Sequence, residues 1–170
     1  NVVIGNGDSF ESSGRQLTTG SDNTFLGFKS GRAMQTGSGN TLIGSNAGAH
    51  LTTGINNLIL GHNSAFNLDS GSYNISLGPE AGFNLGIGNY NIFSGYQAGY
   101  SNSQGSQNIN IGYQTGYTSV NNTDNIHIGT QAGYLSQADN NIFIGLNAGS
   151  DNIDSNNNVV IGFVDFDIKW

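Results

Sequence analysis

Apolar and polar positions alternate along this chain in a unit that returns every 17 residues. Each copy reads Asn, two residues, an aliphatic residue, Gly, and the closing residues are Gly5, Gly27, Gly44, Gly61, Gly78, Gly95, Gly112, Gly129, Gly145 and Gly162. Seven of the nine intervals are 17 residues; one is 22 and one is 16. The three residues before each Gly are mostly β-branched, aliphatic or aromatic, which predicts a short strand in every copy. Residues one and three before Gly share a face, because strand side chains alternate. These two columns run from Val2 and Ile4 to Val159 and Ile161, with Ser94 the polar exception one before Gly, and are expected to line an interior. The opposite face carries Val3, Phe25, Leu42, Ile59, Ser76, Phe93, Asn110, His127, Phe143 and Val160, of which seven are bulky and apolar. A strand apolar on both faces is normally buried on both, and a 17-residue coil is too thin to do that alone. Other copies of the chain are therefore expected to cover Phe25, Leu42, Ile59, Phe93 and Phe143.

So short and regular a period means one unit stacked on copies of itself. After the strand comes Gly-x-x-Ala-Gly, as in Gly44-Ser-Asn-Ala-Gly48, Gly78-Pro-Glu-Ala-Gly82 and Gly129-Thr-Gln-Ala-Gly133, a corner in which paired Gly residues permit positive φ. A second corner carries Thr-Thr-Gly20, Gln-Thr-Gly37, Thr-Thr-Gly54 and Asp-Ser-Gly71. Two corners per period predict two short strands per coil. The fold class is all-β, a parallel β-solenoid or β-roll of about ten coils, each adding ~4.8 Å for a rod of roughly 50 Å. Asn23, Asn40, Asn57, Asn74, Asn91, Asn108 and Asn125 head successive strands and are expected to form an amide ladder. Gly27, Gly44, Gly61, Gly78, Gly95, Gly112 and Gly129 are its structural companions at the strand ends.

The repeat domain spans 1–162, and 163–170 reads as an exit strand or cap. A five-residue insertion around Asn6–Phe10 accounts for the long interval, after which Ser13-Gly14-Arg15 rejoins the register of Ser30-Gly31-Arg32. The short interval drops one residue near Ala138–Asn140.

Composition narrows the partners. Charged residues are 9% and the net charge is −7, with only Arg15, Lys29, Arg32 and Lys169 as cations, so nucleic acid is excluded as a partner. The 27 Gly and 26 Asn argue against helices. There is no long apolar run, hence no membrane insertion. Zero Cys removes disulfides and thiolate zinc sites, in keeping with an oxidising exterior. The chain opens on Asn1 inside a repeat, with neither Met nor signal peptide, and reads as a piece of something longer.

The chemistry-bearing residues do not assemble into a catalytic set. Ile43-Gly-Ser-Asn-Ala47 fits the hexapeptide of acyltransferase β-helices, yet only one third of each coil matches. His50 and His62 lie at corners and His127 in a strand column, each without a helpfully spaced carboxylate, and no nucleophile elbow occurs. Asp22, Asp124 and Asp139 recur near the repeat Asn, but most coils lack the acid and Gly-Gly-x-Gly-x-Asp is absent, so no metal or other cofactor is expected. An ice-binding face would need regular Thr-x-Thr; the Thr pairs fall at Thr18-Thr19 and Thr52-Thr53, on corners. Five after Gly stand Phe66, Phe83, Tyr100, Tyr117 and Tyr134, and one after Gly stand Tyr96 and Tyr113. Aromatic stacking that stiffens the rod is the plainer reading. An exposed platform for glycans at Tyr100, Tyr117 and Tyr134 is the sharper one. Of the sequons at Asn74 and Asn121, only Asn121 lies off the ladder and is open to modification.

The unit Asn91-Ile-Phe-Ser-Gly-Tyr-Gln-Ala-Gly-Tyr-Ser-Asn-Ser-Gln-Gly-Ser-Gln107 resembles the 17-residue repeats of phage-type and giant-virus-type fibre proteins. In those proteins it commonly precedes a self-cleaving chaperone domain of the tail-spike kind. More distantly, Asn-x-x-Ile-Gly is similar to the head repeat of trimeric autotransporter adhesins. The resemblance covers nearly the whole chain. It implies a left-handed, homotrimeric β-roll outside the cell, on a virion or cell surface, that binds a host receptor, glycan or matrix. The long first interval, the absence of a chaperone domain, and Ser94, Asn110 and His127 in apolar columns depart from that pattern. Function is thus expected to be structural and non-catalytic, with ice binding and acyl transfer as the alternatives.

Overall fold

The computed structural model describes residues 1–5 and 12–163. Among them every regular element is a three-residue strand: β1 Val2–Ile4, β2 Thr24–Leu26, β3 Thr41–Ile43, β4 Leu58–Leu60, β5 Ile75–Leu77, β6 Ile92–Ser94, β7 Ile109–Ile111, β8 Ile126–Ile128, β9 Ile142–Ile144 and β10 Val159–Ile161. They form a single parallel sheet in chain order, each residue paired with its counterpart in the next copy. The fold is a β-solenoid, as the repeat predicts.

Each coil has one strand, not two. The rest of the coil is a run of turns and bends: Ala98 N–H closes on Gly95 C=O at 3.3 Å and Asn102 N–H on Gly99 C=O at 3.2 Å, with Gln97 and Gly99 at φ 55° and 62° and Gln107 at 61°. The turns are nevertheless hydrogen-bonded from coil to coil, as in Gly31 N–H to Ala47 C=O at 3.0 Å and Gln35 N–H to Thr52 C=O at 2.8 Å. Stacking therefore satisfies the backbone on every side of the coil, and only one side is a sheet.

The faces of that sheet are the reverse of the expectation. Phe25, Leu42, Ile59, Phe93 and Phe143, expected to meet a partner chain, are fully buried inside their own solenoid. They pack with Met34, Leu51, Leu68, Leu85 and the corner alanines Ala47, Ala81 and Ala98, or, at the far end, with Ala132 and Ala148. The columns expected to be interior point outward instead: Leu26, Leu58 and Leu60 are 42%, 40% and 46% exposed. The cause lies in the corner glycines. A Cβ on Gly99 would stand 2.6 Å from the Phe93 ring, so the Gly is the floor on which that ring lies.

The 17-residue register holds across the irregular intervals. Gly14 N–H bonds to Ser30 C=O, so the chain has rejoined the stack by Ser13–Arg15. In the short interval Gln137 N–H still meets Ile153 C=O, and the missing residue falls between Gln137 and Asp139. The insertion at Asn6–Phe10 and, apart from Phe163, the segment 163–170 lie outside the described residues.

Candidate functional site

Four features of the stack have chemistry: an internal amide ladder, an outward apolar sheet face, an aromatic column and a polar stretch of core.

The ladder is as the sequence predicts, and it is buried. Asn57 donates Nδ2 to Asn40 Oδ1 at 3.0 Å and to Gly71 C=O at 2.9 Å, while its own Oδ1 accepts from Asn74 N–H and Nδ2 at 2.9 and 3.1 Å. Asn40, Asn74, Asn91 and Asn108 repeat the pattern, and Asn23 donates to Gly37 C=O and accepts from Asn40. Each complete amide thus donates to the preceding rung and to a carbonyl 14 residues on, and accepts twice from the following rung, which fixes the coil spacing. At the short interval the pattern fails: Asn125 turns to Thr123 C=O, and Asn141 Nδ2 has no partner. The strand-end glycines complete the spacing. A Cβ on Gly61, at φ 142°, would stand 2.5 Å from the Gly78 carbonyl oxygen of the next coil. Asn74, at the first sequon, is sealed inside, and Asn121 is exposed.

The outward sheet face is made of the two columns on either side of the buried one. From β4 to β9 it reads Leu58 and Leu60, Ile75 and Leu77, Ile92 and Ser94, Ile109 and Ile111, Ile126 and Ile128, Ile142 and Ile144. Over all ten strands, nine steps of ~4.8 Å and three residues at ~3.3 Å give a face of roughly 43 by 10 Å, apolar apart from Thr24, Thr41 and Ser94. Stacked tyrosine pairs stand at the turns on its two edges, Tyr73 with Tyr90 on the entry side and Tyr96 with Tyr113 on the exit side.

The aromatic column is one continuous stack. Phe66, Phe83, Tyr100, Tyr117 and Tyr134 lie 5.0–5.3 Å apart, with neighbouring planes within 12° of parallel, and His50 tilts over the Phe66 end at 4.6 Å. The faces of Tyr100 and Tyr117 are therefore occupied by other rings, and what remains for solvent is edges and hydroxyls. Only Tyr134 has a face with no further aromatic in its column among the described residues; Ser150 holds the next position. Burial, then the neighbouring Tyr100, Tyr134, Glu80 and Tyr96, raises the Tyr117 phenol above its ordinary value. A row of side-chain amides runs alongside, with Gln97 Nε2 to Glu80 Oε2 at 2.8 Å, Gln114 to Gln97 at 2.8 Å and Gln131 to Gln114 at 3.1 Å. That row went unread in the sequence, although Glu and Gln two after Gly in four successive copies were its signal.

The core is not apolar throughout. The position of Leu51, Leu68 and Leu85 is taken in the next three coils by Asn102, Ser119 and Ser136, and that of Phe93 by Asn110 and then His127. Part of this set is satisfied: Ser119 Oγ donates to Ser136 C=O, and Asn122 Nδ2 donates to the same carbonyl. Between Asn102 and Ser136, six buried atoms have no protein partner: Nδ2 and Oδ1 of Asn102, Asn110 Oδ1, both ring nitrogens of His127 and Ser136 Oγ; Ser76 Oγ, Asn141 Nδ2 and Ser150 Oγ share that state elsewhere. The His127 ring lies parallel to Phe143 at 5.1 Å and over Gly133. Burial lowers its pKa to about 4, so it is neutral at physiological pH.

No group of three or more His, Asp or Glu that could hold a metal ion occurs among the described residues, nor any helix long and apolar enough to cross a membrane. His50 Nδ1 sits 3.0 Å from Asn67 Oδ1, in a polar row continued by Asn67 Nδ2 to Asn84 Oδ1 at 2.8 Å. His50, His62 and His127 stand in three separate columns of the repeat. No family model, curated protein or solved structure matches this chain.

Proposed function

We propose that this chain is a non-catalytic, load-bearing segment of an extracellular fibre, the shaft or head of a virion or cell-surface appendage, whose copies associate through the outward sheet face. The observation that carries the reading is that face. Parallel sheets are nearly always covered on both sides, and here one side is a strip of Ile and Leu rimmed by tyrosines, the composition of an interface centre. Its projected area, roughly 430 Å² from the strand and coil spacings, is about half of what a standard interface takes from each partner. The flanking tyrosine pairs must then join the contact, or each copy must meet two others. A closed threefold assembly does the second, which agrees with the resemblance to trimeric fibre repeats. Ile-rich columns also favour association over ice binding, since their only hydroxyls, at Thr24, Thr41 and Ser94, make no regular Thr-x-Thr face.

Receptor or glycan attachment belongs to this reading as a secondary role along the turn edges. Hydroxyls and amides of the tyrosine and glutamine columns are what such a ligand would meet.

Light scattering tests the proposal. The expected mass is three times the 17.8 kDa chain. Leu60→Asp combined with Ile111→Asp is expected to give a folded monomer, because both side chains lie on the outer face. A monomeric mass for the unmodified chain refutes the assembly.

A further inference from the structure

We propose that the coils between Asn102 and Ser136 enclose a binding site for a short row of ordered water molecules, held by Asn102, Asn110, His127 and Ser136. Two independent observations meet here. The first is room. Strands β6, β7 and β8 keep their register, and the turn amides of Ser103, Gly116 and Thr118 still bond to the next coil, so only the turn between Gln137 and Asp139 shortens. The side chains meanwhile become smaller: Asn110 stands where Phe93 does, and Ser119 and Ser136 where Leu85 does. Protein interiors are close-packed, and side-chain volume lost inside a backbone held at fixed spacing leaves space. The second is polarity. Six buried atoms of these four residues have no protein partner, and all four residues are essentially inaccessible to bulk solvent.

The mixture of donors and acceptors selects the ligand. Asn102 offers both, Asn110 Oδ1 accepts, the neutral His127 ring has one nitrogen of each kind, and the Ser136 hydroxyl does either. An anion would ask for donors only, with a cationic side chain near, and the described cations Arg15, Lys29 and Arg32 all lie in the first coils. A cation would ask for acceptors and a carboxylate, and no Asp or Glu is buried among the described residues. Water both donates and accepts, and buried waters commonly bridge two to four such groups.

The test is magnetic relaxation dispersion of solvent oxygen-17 on the full chain, which detects waters held longer than microseconds. The unmodified protein is expected to show a dispersion step. Asn102→Leu with Ser119→Leu and Ser136→Leu, which continues the column of Leu51, Leu68 and Leu85, is expected to lose most of that step and to melt at a higher temperature. Ser136→Ala needs no extra space, keeps the fold in any case and is expected to lose part of the step. Absence of a step in the unmodified chain overturns the proposal, and so does a step unchanged in Ser136→Ala. Quadrupolar broadening of sodium-23 or chlorine-35 that disappears in the leucine variant also overturns it, by making the occupant an ion.

Discussion

The coils from Phe25 to Ala98 and those from Asn102 to Ser136 follow one backbone path and differ in what they enclose. The first set closes around Phe25, Met34, Leu42, Leu51, Ile59, Leu68, Leu85 and Phe93 in a continuous apolar cluster. The second encloses Asn102, Asn110, Thr115, Ser119, Asn122, His127 and Ser136. Sheet register and ladder spacing hardly register the change: Asn91 and Asn108 bond as Asn57 and Asn74 do. What the two regions teach is that the coil is set by its backbone and its Asn and Gly columns, and the core filling decides how firmly it is held. Six buried polar atoms of the second region have no protein partner, and a polar filling that relies on water holds the coil less firmly than packed apolar side chains do. The second region is where the stack is expected to open first.

The widest separation between the two regions is expected from truncating the same column in each. Phe93→Ala removes a ring that lies fully buried on the corner glycine Gly99 and should destabilise by about 3–5 kcal/mol. Asn110→Ala, one coil on, deletes a side chain with an unpartnered oxygen and should change stability by no more than ~1 kcal/mol. Denaturant unfolding at one fixed protein concentration measures both, since association would otherwise shift the midpoint. Equal losses at the two sites would erase the distinction between the regions.

This contrast shows what was readable beforehand and what was not. Period, strand positions, ladder and parallel stacking all follow from the recurrence of Asn-x-x-aliphatic-Gly. Which strand face turns inward does not, because alternation sorts residues into two faces without saying which is the inner one. The columns one and three before Gly are the more uniformly apolar pair, and that uniformity pointed the wrong way. The column with Ser76, Asn110 and His127 reads as a face for partner chains, yet it is the core. The deciding feature is the Gly that stands four after most strand-end Gly residues, at Gly99, Gly133 and Gly149 for example, over which Phe93, His127 and Phe143 lie. A Gly there is useful only beneath a side chain that turns inward. The second strand of each coil failed for a different reason: consecutive turns closed by i→i+3 bonds, as at Ala98 to Gly95 and Asn102 to Gly99, carry the chain away from the corner. The switch from Leu85 to Asn102 was visible in the same alignment of copies, but it lies outside the strands, where apolar periodicity is not sought.

Acid sharpens the difference next. His127 is neutral when folded, with a pKa lowered to about 4 by burial, and its neighbours Asn110, Phe143 and Gly133 carry no charge. Above pH 6.5 neither folded nor unfolded chain binds this proton, and the residue contributes nothing to pH dependence. Between pH 6.5 and about 4 the unfolded chain takes the proton and the folded chain does not, so stability falls as pH falls. The loss reaches about 3 kcal/mol and levels off below pH 4. Denaturant titrations across this range should show the fall, and His127→Phe should remove it.

A ladder substitution follows in size. Asn74→Ala strips the donor to Gly88 C=O and the acceptor for Asn91 N–H, both buried, and should cost roughly 2–3 kcal/mol. Asn141, whose Nδ2 is already unpartnered at the short interval, should cost less when changed to Ala. The pair compares a complete rung with an incomplete one, read from melting temperatures of otherwise identical chains.

The smallest effect lies on the surface and ties the two regions together. The aromatic column spans both, but its tyrosines Tyr100, Tyr117 and Tyr134 stand on the coils with polar cores, while Phe66 and Phe83 stand beside Leu68 and Leu85. Stacked pairs add about 0.5–1.5 kcal/mol beyond their burial. Where the interior supplies apolar contacts, that increment is a supplement; over Ser119 it is a main hold on the coil. Tyr117→Leu keeps apolar bulk and loses two stacking contacts, at 5.0 and 5.2 Å, and should cost about 1–2 kcal/mol. It should also speed hydrogen exchange at Gly116 and Thr118, whose amides bond to Ala132 and Tyr134 of the next coil. Phe83→Leu loses the same number of ring contacts and should leave exchange at Gly82 and Asn84 nearly unchanged, because Leu85 and Phe93 still anchor that coil. If the two variants loosen their coils equally, the outer column does not compensate for the polar core.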